Sequence, residues 1–266
     1  MNDTADDDRS PEPVDPLTSS KQARRALGVS IAISVLLWVI PFGDTIGYPL
    51  LLISTVAHEL GHGLTALVLG GRFDQLVIDR YAGGFANVEV SSGFRFALVA
   101  AGGLIGPAVV AALSFRAAHT RNGARAIAVV YAAVILWVVL FIGTSDPTAN
   151  GFLDRYFGLG FLAVLAGTLL FLALRAGAAA CQFGVVLIAV QLALSVFSRS
   201  DYLFTKNFRG PNGQTLVSDT QRMAESLWLP YWVWGAVCGL LSIFILIQGV
   251  RPYLRGPEGE SKEEST

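Results

Sequence analysis

The sequence predicts an all-α polytopic membrane protein of about seven transmembrane helices, with a small cytoplasmic β-hairpin after the second. Three observations predict it. The 266 residues are 53% hydrophobic and only 15% charged. The apolar residues gather into runs of roughly 20, long enough to cross a bilayer as helix. Between the second and third runs, "GRFDQLVIDRYAGGFANVEVSSG" (71–93) holds two β-rich stretches around Gly83–Gly84, which is a hairpin signal.

Residues 1–26 read as a disordered tail. Asp3, Asp6, Asp7, Asp8, Glu12 and Asp15 crowd its start, with prolines and almost nothing to bury, so folding cannot offset the ordering entropy. An acidic leader without an evident cleavage site makes the first apolar run a retained span, not a signal peptide. The spans are expected at 27–43, 46–70, 96–115, 126–143, 156–174, 176–197 and 227–250, and together they make one membrane-embedded domain, 27–250. The first is short. Pro107 and Pro230 should kink their helices. A second loop, 198–226, is polar and Gly-rich at "RGPNGQ", and 251–266 form another polar tail. Cys181 and Cys238 both fall inside spans, so no disulfide framework is indicated. Trp228, Tyr231, Trp232 and Trp234 read as an interfacial aromatic belt.

Basic residues near the span ends set an expected orientation. If every run crosses and the N-terminus is cytoplasmic, Lys21, Arg24 and Arg25 share a face with eight further basic residues. Arg116, Arg121, Arg125, Arg175, Arg251 and Arg255 take the other. Eleven against six favours a cytoplasmic N-terminus. A compact chain with short loops fits a bacterial plasma membrane.

The second span carries the chemistry. His58, Glu59 and His62 spell H-E-x-x-H. On a helix the two histidines share one face and reach one metal, with Glu59 beside it to take a proton from water. An ionisable group near the bilayer centre costs about 2.5–3.5 kcal/mol on insertion scales. Glu59 is the only acid inside an expected span, and His58 and His62 are the only histidines there. The competing expectation is that both imidazoles hydrogen-bond neighbouring helices around a protonated Glu59. Three such groups at ligand spacing favour a metal.

"AHELGHGLTALVLGGRFDQLVI" (57–78) resembles the metal-binding helix of the M50 metallopeptidases, the site-2 protease class of intramembrane zinc enzymes. The hairpin and then "AAGGLIGPAVVAAL" (100–113) resemble the order of elements in that class. "SDTQRMAESLWLPYWVWG" (218–235) looks like the M50B-like branch, where a Ser-Asp pair precedes a helix with Leu-Pro and Trp. The resemblance covers 46–115 well and 218–240 more loosely.

The resemblance implies Zn2+ with three protein ligands, two of them His58 and His62, and Glu59 as the catalytic base. In that class the third ligand is an aspartate in a Leu-Asp-Gly context, which this chain lacks. Asp146, Asp154, Asp201 and Asp219 are the alternatives. Asp219 matches the Ser-Asp feature of the branch, Asp201 is the close second, and Asp154 in "FLD" is the third. The third histidine, His119, lies in an Arg-rich loop expected on the opposite face.

The function this implies is a zinc-dependent intramembrane endopeptidase acting on membrane-protein or peptide substrates within the bilayer. Residues 73–78 and 85–90 are candidates to receive an unwound substrate as an added strand. The alternative is a metal-stabilised, non-catalytic membrane scaffold or partner protein of the same fold. A metal or proton transporter ranks last, because the other spans hold few polar groups. No Gly-rich phosphate loop, nucleic-acid-binding stripe or serine-triad pattern stands out.

Overall fold

A computed structural model describes residues 16–79, 81–144, 152–198, 203–209 and 215–254. Helix α1 (Pro16–Val39) and the short α2 (Gly43–Ile46) lead into α3 (Tyr48–Val68), strands β1 (Arg72–Ile78) and β2 (Gly84–Glu89), and α4 (Phe94–Ala118). Helix α5 (Arg121–Trp137) runs through a π-helical turn, Val138–Ile142, into β3 (Gly143–Thr144). Then come α6 (Phe152–Leu174), α7 (Ala178–Ser198), β4 (Asn207–Arg209), β5 (Thr215–Val217), α8 (Asp219–Leu227) and α9 (Tyr231–Leu254).

Among the described residues, six helices are long and apolar enough to cross a membrane: α3, α4, α5 with its π turn, α6, α7 and α9. Large apolar side chains such as Leu113, Leu140, Phe141, Phe171, Leu240 and Phe244 face outward, while the interior is rich in alanine. That is the packing expected where lipid contacts the outside and small residues let helices approach. The chain is an integral membrane protein built of helices.

The first expected span is not among the six. Its apolar stretch is short and follows Lys21, Arg24 and Arg25, and Ser30 and Ser34 fall on its buried side with Ala23 and Ala26. Helix α1 packs chiefly on α7. It begins at Pro16, inside the segment read as a tail, and residues 1–15 and 255–266 lie outside the described residues.

The orientation argument also changes. Arg121, at the start of α5, donates to Gln22 Oε1 from Nη2 at 2.7 Å and from Nε at 3.3 Å. The basic start of α1 therefore shares an end of the bundle with the α4–α5 connection. Arg125 reaching the Ala176 carbonyl, and Tyr253 meeting His119 edge-to-face, mark the same end. With Lys21, Arg24 and Arg25 transferred, eleven against six becomes eight against nine. Charge no longer orients the chain. The count of eleven against six rests on placing the start of α1 and the α4–α5 connection at opposite ends.

The hairpin forms where expected, pairing from Arg72↔Glu89 to Ile78↔Gly84 with one register shift between Phe73 and Gln75. Its turn is held by Asp79, whose Oδ1 accepts from the Tyr81 and Gly83 amides at 2.7 and 2.8 Å. A short acidic side chain closing its own turn is what favours Asp there. The hairpin is no solvated loop, however. It folds back along α3, with Phe73 beside Gly63 and with Leu76 and Ile78 in the main core. Strand β3 pairs parallel with β1 at Leu76↔Gly143 and Val77↔Thr144, giving the order β2-β1-β3.

One bond seats the turn against α3: Thr55 Oγ1 donates to the Ala82 carbonyl at 2.6 Å, both groups buried. Thr55→Val keeps the shape and orphans that carbonyl. The expected loss is about 1–3 kcal/mol of stability, read as a lower thermal midpoint in detergent.

Helices α3 and α4 meet through glycines. A Cβ on Gly61 would overlap the Gly102 backbone, and Gly106 lies against the Ala57 carbonyl. Pro107 sits inside α4. Pro230 kinks nothing: Trp228, at φ 58°, ends α8 in the left-handed conformation, and α9 begins at Tyr231.

Candidate metal centre

The centre is built from α3 and the first residue of α8. His58 and Glu59 are each 6% exposed, halfway along α3. One turn on, His62 brings its ring edge-on to His58, with centroids 4.7 Å apart and planes at 90°. The two Nε2 atoms are 3.1 Å apart. Asp219 Oδ2 lies 3.2 Å from His58 Nε2 and 3.3 Å from His62 Nε2.

Local chemistry explains why Asp219 is available. Ser218, not Asp219, caps α8: its Oγ accepts from the Gln221 amide at 3.2 Å and lies 3.1 Å from Thr220 Oγ1. The Ser218 amide donates to the Lys206 carbonyl at 3.1 Å, which ties the helix start to β4. Asp219 then occupies the first helical position, where the helix dipole favours a negative charge. Burial by itself would raise its carboxyl pKa. The His62 charge, and hydrogen bonds from both imidazoles, instead hold it well below the usual carboxylate range.

A backbone group orients His62. Its Nδ1 lies 2.8 Å from the Val99 carbonyl. A carbonyl only accepts, so Nδ1 carries a proton, and Nε2 is the ring atom directed at the site, the one that would ligate an ion. The ring rests against Gly103, where a Cβ would overlap it. Gly103→Ala should therefore push His62 off the common point. Affinity for a divalent metal is expected to fall by about 10–100-fold, the scale of losing a ligand's supporting contact, as measured by competition with a chelator.

The donor set suits zinc. Tetrahedral ligands about 2.0–2.1 Å from the ion lie roughly 3.3 Å from one another. The two imidazole nitrogens and one carboxylate oxygen stand 3.1, 3.2 and 3.3 Å apart. Among the described residues this is the group of histidine, cysteine or acidic side chains close enough to hold a metal. Three donors leave a fourth position for water or substrate.

Of the sequence candidates, His58, His62 and Asp219 come together, with Glu59 buried beside them. Asp146 and Asp201 lie outside the described residues, and so does the side chain of Asp154, although its backbone belongs to α6. His119 caps α4 against Tyr253 at the other end of the bundle. The Val99 carbonyl was not foreseen, since nothing in a residue type marks its backbone as a partner.

No curated protein and no solved structure matches the chain. The family model described as Peptidase M50B-like matches residues 27–249, from the apolar part of α1 to near the end of α9. Nearly the whole membrane domain and every group of the candidate centre lie within that match, and so the chain belongs to the Peptidase M50B-like family.

Proposed function

We propose that the chain is a zinc-dependent intramembrane endopeptidase that hydrolyses peptide bonds of membrane-protein substrates. The observation that carries this reading is the near-equilateral triangle of His58 Nε2, His62 Nε2 and Asp219 Oδ2. Those three side chains would hold the ion. When bound, zinc supplies Lewis acidity that polarises a carbonyl and acidifies water.

Glu59 supplies the base. It follows His58 directly on α3 and is buried with it. Its carboxylate takes a proton from the attacking water as the new C–O bond forms. It then delivers that proton to the nitrogen leaving the broken C–N bond. The His62–Val99 bond fixes the tautomer, and the buried surroundings keep bulk water from the carboxylate.

A helical substrate shields its own peptide bonds and must unwind to be cut. Strand β3 covers the far edge of β1 at Leu76 and Val77, so the outer edge of β2 is where an unwound segment would add as a strand. The scaffold alternative would suit a closed four-ligand site, and three donors among the described residues support the enzyme instead. The test is cleavage of a single-span substrate in liposomes by wild type and Glu59→Gln, with zinc content measured in both. Undiminished cleavage by the variant overturns the mechanism.

A further inference from the structure

A small pocket opens on the side of His58. Its walls are Ser54 and His58 of α3, Leu104 and Pro107 of α4, and Ser195 and Val196 of α7, and Leu203 closes it. The space left is about 10 Å³, the lower limit for one water molecule. Leu203 is 3% exposed, whereas the next residue, Phe204, is 55% exposed. Leu203 is held by packing on a bare stretch of α9. Its carbonyl lies where a Cβ on Gly235 would be, and its Cδ1 is 3.8 Å from the Cβ position of Gly239.

We propose that this pocket receives an apolar side chain of the substrate beside the cleaved bond, and that Leu203 fills it in the substrate-free protein. The inference rests on the proposed function and names the side-chain chemistry that the same site selects. The pocket and the metal centre share His58, so a side chain seated there belongs to a residue at the scissile bond. Apart from His58 the walls carry only apolar side chains and the hydroxyls of Ser54 and Ser195. The Ser195 hydroxyl is already engaged with the Leu192 carbonyl at 2.8 Å. The space beside Leu203 holds one water at most, so an aliphatic group of leucine size enters only as the Leu203 side chain withdraws from the wall.

The probes are three N-acyl amino-acid hydroxamates with glycine, leucine and naphthylalanine side chains, titrated against purified protein whose zinc content is measured in the same samples. Wild type should discriminate little among them, because Leu203 competes for the pocket. Leu203→Ala should bind the leucyl hydroxamate on the order of tenfold tighter than wild type does, with the glycyl compound unchanged and zinc at the wild-type level. Gly235→Ala is the second variant. It keeps the Leu203 side chain but displaces its backbone, and it should produce the same gain. Both variants carrying full zinc with an unchanged leucyl-to-glycyl ratio would overturn the pocket. Wild type lacking zinc would overturn the proposed function, and the pocket's role with it.

Discussion

Glu59→Gln is expected to lower proteolytic turnover by about 10²–10⁴-fold, the usual contribution of a general acid–base group, with zinc content near that of wild type. The amide keeps the volume of the carboxyl and loses the basic oxygen. Glu59 is not among the three donors that converge, so the metal should stay. Stability should not fall, because a neutral amide is cheaper to bury than a carboxylate at a position 6% exposed. The measurement is turnover per bound zinc on a membrane-embedded substrate. Loss of the metal along with activity would make Glu59 a ligand and not the base.

How much of this was legible in the sequence depended on how local each signal was. H-E-x-x-H is readable because helical spacing alone puts His58 and His62 on one face. The hairpin was readable from its turn, though Asp79 does as much to close it as the two glycines do. Strand β3 was not readable. Two residues, Gly143 and Thr144, ending an apolar run carry no strand signal and pair only because β1 lies alongside. That α1 begins at the same end of the bundle as the α4–α5 connection was not readable for a similar reason. Hydropathy reports that a segment is apolar, and only a contact such as Arg121–Gln22 reports where it starts. Asp219 was preferred through its Ser-Asp context, since no pattern of spacing relates a short helix after α7 to the middle of α3.

Asp219→Ala should weaken zinc binding by more than about 100-fold, beyond the 10–100-fold typical of losing a supporting contact, while Asp201→Ala leaves it at the wild-type value. Asp219 is the only anionic donor of the group. Its loss removes one corner of the triangle and the charge that offsets the dication. The effect should be separable from unfolding, because Ser218 supplies the cap of α8 and its hydrogen bonds survive the substitution. Ser218→Ala provides the contrast. Losing that cap should cost about 0.5–2 kcal/mol of stability and disturb zinc only through the position of α8. Competition with a chelator gives the affinities, and thermal denaturation of the same samples gives the stabilities. Full zinc affinity in Asp219→Ala, with loss in Asp201→Ala, would move the third ligand to Asp201. The short contacts of Asp219 to both imidazoles would then be those of a hydrogen-bonding neighbour that orients the rings. Helix α8 is not one of the apolar spans, so a ligand at its tip is held by a few hydrogen bonds at its N-terminus and by packing against α4 and α9, to which a bound ion would add. Metal binding should for that reason add to the contacts that seat α8, so that zinc raises the thermal midpoint of wild type and not that of Asp219→Ala.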